Sequence, residues 1–93
     1  KERVLELDSL RILVEVADAG GISFAAMRLG SSKTMVSRRI TRLEDELGTQ
    51  LLARTTRGIA LTEAGATFRD YAARISLELD VARETILPAG EFF

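Results

Sequence analysis

The residues of this chain that could perform chemistry are serine, threonine, lysine and arginine, because it contains no cysteine and no histidine. Without these two types it lacks the commonest metal ligand, the commonest general base and the best nucleophile. Ser32 beside Lys33 suggests a Ser–Lys dyad. Neighbouring helix residues point about 100° apart, so the two side chains do not face each other, and no oxyanion donor set is evident. The sequence therefore predicts a protein that is not an enzyme and needs no metal or cofactor.

Positive charge is concentrated in the middle of the chain, although the net charge is −1. Residues 28–57 carry seven Lys and Arg against three Asp and Glu, and the rest of the chain carries six against eleven. Local charge, rather than net charge, binds phosphates. The distribution predicts a basic surface, which is typical of a nucleic-acid site and also of an ordinary solvated face.

Hydrophobic spacing predicts four helices, and glycine follows each of the first three. The predicted N-cap residues are Asp8, Ser23, Ser32 and Thr62. Between the third and fourth helices, two short apolar runs flank a turn rich in Thr and Gly at 55–58. Such a pattern indicates a β-hairpin, which must lean on the helices because two strands alone are barely stable.

The second and third helices are joined by Gly30-Ser31, which is typical of a helix-turn-helix unit. The second helix of such a unit, here residues 32–47, is the recognition helix, and its N-terminal residues meet base edges in the major groove. The polar residues at this end are candidates for reading bases because they can donate to guanine or bond to several edges. These candidates are Ser32, Lys33, Thr34, Ser37 and Arg38.

A second set of residues is expected to contact the DNA backbone or the minor groove. Two of them flank the base-reading face, and the others form the tip of the hairpin, or wing, at 54–58. The set comprises Arg39, Arg42, Arg54, Thr55, Thr56 and Arg57.

The last helix is predicted to run from Thr62 to about Leu87, where Pro88 and Gly90 end it. Its apolar positions recur in steps of four and three, as in a coiled-coil seam, and the other helices look too short to cover them. The seam consists of Phe68, Ala72, Ile75, Leu79, Ala82 and Ile86. The simplest partner is the same helix of a second chain, so the sequence predicts a homodimer on inverted-repeat half-sites of double-stranded DNA.

Six motifs in one order, without a gap, resemble the N-terminal domain of LysR-type transcriptional regulators. They lie at 17–20, 23–30, 36–40, 43–48, 52–57 and 61–65. The resemblance implies a winged helix-turn-helix, a linker helix that pairs in a dimer, and transcriptional regulation in a bacterium. It also implies that Lys33, Thr34, Ser37 and Arg38 line the DNA groove and that Arg54 and Arg57 are wing contacts.

The sequence differs from the usual pattern of this family at several positions. Lys33 and Thr34 stand where the family usually has Gln and Pro, so its typical half-site readout is not carried over. Ser31 stands where an apolar residue usually packs, and Phe24 where a small or polar residue is common. Family members continue into a domain that binds a small-molecule effector, and nothing in this sequence encodes it. We therefore expect DNA binding without a ligand response, with any effector confined to a C-terminal domain that is missing here.

The predicted fold is mainly α: three helices and a two-stranded wing, followed by a long dimerisation helix. The winged helix-turn-helix is assigned to residues 1–62, and the linker helix with its tail to residues 63–93. The chain has no membrane-length apolar run and no apolar signal core, so a cytoplasmic protein is expected. Two alternatives stay open. One is a winged-helix regulator of another type, such as the molybdate-responsive one, and the other is a coiled-coil interaction module that does not bind DNA.

Overall fold

Six elements of secondary structure follow one another in the computed structural model, which describes residues 5–87. They are α1 (Leu7–Ala19), α2 (Ile22–Leu29), α3 (Lys33–Leu47), β1 (Leu52–Thr55), β2 (Gly58–Leu61) and α4 (Glu63–Ile86). The predicted fold of three helices, a two-stranded hairpin and a long last helix is confirmed. The outer ends of the two predicted regions, at 1–4 and 88–93, lie outside the described residues, as do Pro88 and Gly90.

The first three helices pack around one apolar core because each carries a stripe of apolar residues at helical spacing. Leu13 of α1, Ala25 of α2 and Val36 of α3 are completely buried. Ile40 and Leu43 continue the buried stripe of α3 in steps of four and three residues. This packing fixes the rotation of α3, so its opposite face points outward.

Two of the four predicted helix caps are confirmed. The Ser32 hydroxyl accepts the Met35 N–H at 3.1 Å, and the Thr62 hydroxyl accepts the Gly65 N–H at 2.9 Å. The predictions for Asp8 and Ser23 are wrong, because the helices begin earlier and both residues lie in the first turn.

The early starts of α1 and α2 follow from tertiary packing. The first residues of these helices, Leu7 and Ile22, pack against the core. Their burial draws one extra apolar residue into each helix. Glu6 and Gly21 then occupy the N-cap positions, and neither provides a side-chain hydrogen bond. Local capping preference therefore gives way to burial of a large aliphatic side chain.

The hairpin is an antiparallel pair in which Leu52 faces Leu61 and Thr55 faces Gly58. The turn needs Gly58, whose φ of 123° is unfavourable for any residue with a Cβ. At the other end of the hairpin, Gly65 of α4 packs directly on the preceding chain. A Cβ at this position would overlap the Leu51 carbonyl oxygen. The wing is therefore built closely onto the start of α4.

Helix α4 runs antiparallel across α1, as two ion pairs show. Arg69 Nη2 lies 2.7 Å from Asp18 Oδ1, and eleven residues further along, Asp80 Oδ1 lies 3.0 Å from Arg11 Nη2. The hydrogen bond and charge of Asp18 raise the pKa of Arg69. Ala72, between the two pairs, is buried in the core of the single chain. The first half of α4 thus shares the core of the preceding helices, and the assigned boundary at residue 62 stays a prediction.

None of the helices within residues 5–87 is both long enough and apolar enough to span a lipid bilayer.

Candidate nucleic-acid interface

The outer face of α3 presents the predicted base-reading residues to solvent. Because α3 buries Val36 and Ile40, residues about half a turn away point outward. All five candidates are exposed, as is Thr41 one turn further along the same stripe. They are Ser32, Lys33, Thr34, Ser37 and Arg38. Ser32 also caps the helix, so its oxygen already accepts one hydrogen bond from the backbone.

The structure separates the basic residues of this region into paired and unpaired groups. Arg39 is half-buried and lies 3.2 Å from Glu6, on the flank of α3 that faces α1. Arg42 Nε lies 3.5 Å from Glu46 within the same helix. Both residues were predicted to contact the DNA backbone. Separating an ion pair that is in contact with solvent costs at most about 1 kcal/mol. They remain candidates that must first release a carboxylate.

Six cations form no ion pair within residues 5–87, and four of them lie in this region, whereas Arg74 and Arg83 lie on α4. Lys33 and Arg38 lie on the outer face of α3, and Arg54 and Arg57 lie on the wing. An unpaired cation on a surface is available to a phosphate or a base edge without breaking a protein contact. The candidate interface therefore carries positive charges that no acidic residue within residues 5–87 neutralises in an ion pair.

A threonine side chain makes two hydrogen bonds within the tip of the wing. The Thr55 hydroxyl accepts the Arg57 N–H at 3.2 Å and donates to the Gly58 carbonyl at 3.3 Å. The Thr55 side chain thus bonds to the backbone of the turn. The side chains of Thr56 and Arg57 are exposed at the tip. Of the four predicted wing residues, Thr55 is the one that supports the turn.

A groove of about 300 Å³ separates α3 from the wing. Its walls include Ser37, Thr41 and Glu44 of α3, together with Gln50 and Arg54 of the hairpin. Thr41 was not among the predicted site residues. Its signal in the sequence is the spacing 34, 37, 38 and 41, which continues the polar stripe of α3 by one turn.

Acidic residues of α3 lie at its C-terminal end, away from Lys33 and Arg38 at the start of the helix. Glu44 does not face solvent freely, because its Oε2 accepts the N–H groups of Leu51 and Leu52 at 2.8 and 3.1 Å. Asp45 is exposed. No group of three or more His, Cys, Asp or Glu in the described part of the chain is arranged to hold a metal ion.

The predicted seam of α4 divides into covered and uncovered positions. Ala72 is buried by α1, and Phe68 and Leu79 are half-buried. This corrects the expectation that the other helices leave the seam uncovered, because α1 lies antiparallel along α4 from about Arg69 to Asp80. Ile75 is 46% exposed and Ile86 is 76% exposed, and Ala82 between them is also exposed.

The uncovered part of the seam continues into an apolar groove. This groove, of about 510 Å³, lies between the first turns of α4 and the end of α3. Leu47 and Leu51 line one side, and Phe68 and Tyr71 line the other. An apolar surface of this extent on one side of a helix favours contact with another protein surface.

Comparison with known proteins identifies the family. The family model described as "Bacterial regulatory helix-turn-helix protein, lysR family" matches residues 7–66. An HTH-type transcriptional regulator of Xanthomonas campestris pv. campestris is 44% identical over 81 residues, which is 87% of this chain and 24% of the relative. The chain thus spans about a quarter of the length of this curated relative.

Solved structures with the same fold include two complexes with DNA. The crystal structure of the BenM_DBD/benA site 1 DNA complex has a TM-score of 0.83 and 34% identity, over 87% of this chain and 91% of that one. The CbnR_DBD–DNA complex has a TM-score of 0.78 and 41% identity, over 87% of this chain and 92% of that one.

These matches decide among the classes of protein that the sequence left open. They favour the LysR type over the molybdate-responsive type. The matched proteins are transcriptional regulators, in agreement with the prediction that the chain is not an enzyme. The family match covers all of α1, α2, α3 and the hairpin, which are the elements that build the candidate interface. The chain therefore belongs to the lysR family of bacterial regulatory helix-turn-helix proteins.

Proposed function

We propose that this chain binds duplex DNA in a sequence-specific manner, as a homodimer, and so directs a bacterial transcriptional regulator to its operator. The observation that carries the proposal is that four of the six cations without an ion pair in residues 5–87 are grouped on one surface. Lys33, Arg38, Arg54 and Arg57 all lie on α3 or on the wing beside it. A surface of this composition matches a polyanion that presents base edges between two lines of phosphates.

In the proposed complex, α3 lies in the major groove with its N-terminal turns against the bases. Lys33 and Arg38 are suited to guanine O6 and N7, and Thr34 and Ser37 bond to other edges or touch a thymine methyl group. Thr41 extends this readout by one turn. Ser32 contributes mainly by fixing where the helix begins.

Contacts to the backbone come from three places around the recognition helix. The wing tip brings Arg54, Thr56 and Arg57 to the sugar-phosphate backbone or the minor groove. Arg39 and Arg42 reach phosphates by exchanging a carboxylate partner for a phosphate. The N-terminus of α2 adds free N–H groups and has no acidic residue in its first turn, which favours an anion there.

The dimer forms through the uncovered stripe of α4. Ile75, Leu79, Ala82 and Ile86 occupy one side of the helix, and the apolar groove beside Phe68 extends that side. A second copy of α4 is the simplest surface with the same spacing. Two-fold symmetry then places two copies of α3 at a fixed separation, which suits an inverted repeat.

DNA as the partner places this function in the bacterial cytoplasm. The Xanthomonas relative is about three and a half times as long as this chain, and any small-molecule effector is proposed to act through the part of the regulator that lies beyond the helix-turn-helix. The 93-residue chain is then expected to bind its operator in the same way with or without small molecules.

The test is selection of bound duplexes from a random pool, followed by titration of the selected duplex at several salt concentrations. We expect an inverted repeat, and a log affinity that falls linearly with log salt by about 0.9 for each phosphate neutralised. The matched control is the same duplex with one half-site scrambled, which should bind much more weakly. Recovery of no enriched sequence, or an affinity that is independent of salt, would contradict the proposal.

A further inference from the structure

The half-buried carboxylate of Glu44 connects the recognition helix to the wing. We propose that Glu44 is a positioning residue, through which α3 sets where the wing meets the duplex. This inference rests on the DNA-binding function proposed above. Glu44 itself touches no DNA in this arrangement, and it acts through the residues of the wing.

Glu44 makes two hydrogen bonds to the backbone at the start of the hairpin. A single oxygen, Oε2, accepts two successive backbone N–H groups, from Leu51 at 2.8 Å and from Leu52 at 3.1 Å. Hydrogen bonds to a carboxylate are roughly twice as strong as bonds between neutral groups. Two adjacent donors on one acceptor fix both the position and the direction of the chain as it enters β1.

These hydrogen bonds lie close to the surface that would face DNA. Glu44 lies one turn beyond Thr41 on α3 and lines the same groove as Ser37 and Arg54. Leu52 is the first residue of β1, and Arg54 follows two residues later. The distance along the chain from the fixed point to the first wing cation is therefore very short.

The opposite side of the same segment is held by Thr62, the N-cap residue of α4. The Thr62 N–H donates to the Leu51 carbonyl at 2.9 Å, and the Thr62 hydroxyl donates to the Gln50 carbonyl at 2.7 Å. With Glu44 in place, the segment is clamped between α3 and α4. Without Glu44, the segment keeps its contacts to α4 but loses this side-chain tie to α3, so the wing can tilt relative to the recognition helix.

An acidic residue in a DNA-binding helix ordinarily opposes binding through repulsion of phosphates. The two N–H groups aimed at Glu44 offset part of its charge, and its side chain is turned toward the wing rather than toward solvent. The neighbouring Asp45 is exposed and makes no described contact to the hairpin. These two adjacent carboxylates thus provide a matched pair that differs in contact with the wing.

The experiment combines substitutions at Glu44 with loss of the wing cations in the 93-residue chain. Glu44→Met keeps the size of the side chain and removes the acceptor, Glu44→Gln keeps a neutral acceptor, and Asp45→Asn is the control for charge. Each is made in the native background and in a background carrying Arg54→Ala and Arg57→Ala. Affinity for the selected operator is measured in all cases, with thermal unfolding followed in parallel.

We expect Glu44→Met to weaken binding in the native background and to have little further effect when both wing cations are absent. The two losses should fall short of additivity by about threefold or more. Glu44→Gln should recover part of the affinity, and Asp45→Asn should not weaken binding. A purely structural role for Glu44 would lower the unfolding temperature and reduce affinity by the same factor in both backgrounds, and that outcome overturns the inference.

The design also separates failure of this inference from failure of the proposed function. If removal of Arg54 and Arg57 leaves affinity and salt dependence unchanged, the wing does not contact DNA, and both the wing assignment and the role of Glu44 are overturned. If the wing cations matter but the losses are additive, DNA binding stands and the inference alone fails. Should Glu44→Met not fold, Glu44→Gln is compared in the two backgrounds by the same criterion, with a smaller loss expected.

Discussion

The outer face of α3 with the wing, and the outer stripe of α4, are two surfaces that a single chain leaves incomplete for different physical reasons. The first carries four cations that have no acidic partner within residues 5–87. The second carries aliphatic side chains that α1 does not reach, such as Ile75 and Ile86. The first requires a partner of opposite charge, and the second requires a partner that excludes water.

This difference means that the two surfaces should respond differently to solution conditions. Screening by salt weakens contacts between cations and phosphates, and it has little effect on buried apolar contacts. Raising the salt concentration should therefore release DNA before it separates two chains. Substitutions that disturb one surface at a time should leave the other surface intact.

The largest effect is expected from a charge in the stripe of α4. Ile75→Asp places a carboxylate in the proposed dimer contact, where an uncompensated charge costs about 3 kcal/mol or more. We expect the dimer dissociation constant to rise by about a hundredfold or more. Sedimentation should show a monomer, and most affinity for the two-half-site duplex should be lost.

The matched control for this prediction is Leu77→Asp. Leu77 is 63% exposed and lies about 160° around the helix from Ile75. It should leave both dimerisation and DNA affinity close to those of the native chain. A dimer that survives Ile75→Asp and dissociates with Leu77→Asp would place the contact on the opposite side of α4.

A smaller and more selective effect is expected from Lys33, on the first turn of α3. Lys33→Ala should relax the preference at one base pair in each half-site, by roughly 1–3 kcal/mol if the contact to guanine is well placed. Lys33→Gln should shift the preference toward adenine, which a Gln side chain recognises in a bidentate manner. Selection from a random pool measures both, and an unchanged consensus would restrict Lys33 to the backbone.

The smallest effect is expected from the tip of the wing. Arg57→Ala should weaken binding to all sequences alike, and the slope of log affinity against log salt should become shallower by about 0.9 if one phosphate contact is lost. The control is Arg28→Ala, since Arg28 lies 2.9 Å from Glu15 on the side of α1. The control should leave the slope unchanged, and an equal change in both variants would indicate a general effect of net charge.

Much of the fold could be predicted from the sequence because it depends on local patterns. The spacing of Val36, Ile40 and Leu43 specified the buried side of α3, and the side opposite became the candidate interface. The caps at Ser32 and Thr62 were also correct. In contrast, the starts of α1 and α2 were missed, since the burial of Leu7 and Ile22 depends on helices that are distant in sequence.

Less of the site could be predicted, because most of the ion pairs join residues that are far apart in the sequence. The predicted backbone contacts Arg39 and Arg57 look alike in the sequence. In the structure, Arg39 meets Glu6, which lies 33 residues earlier, and Arg57 forms no ion pair with any described residue. The contacts of Glu44 to Leu51 and Leu52 require the chain to turn back at Gly48, and no spacing in the sequence indicates them.

The sequence alone determined the kinds of chemistry open to this protein, the order of its elements and the polar stripe of the recognition helix. These properties depend on residue types and on spacings of three or four positions within one helix. The tertiary structure decided which cations stay unpaired, which seam positions α1 covers and what fixes the wing. Arg69 and Asp18, for example, are 51 residues apart and 2.7 Å from each other. Contacts of this kind arise when α4 packs across α1, and no local pattern in the sequence encodes them.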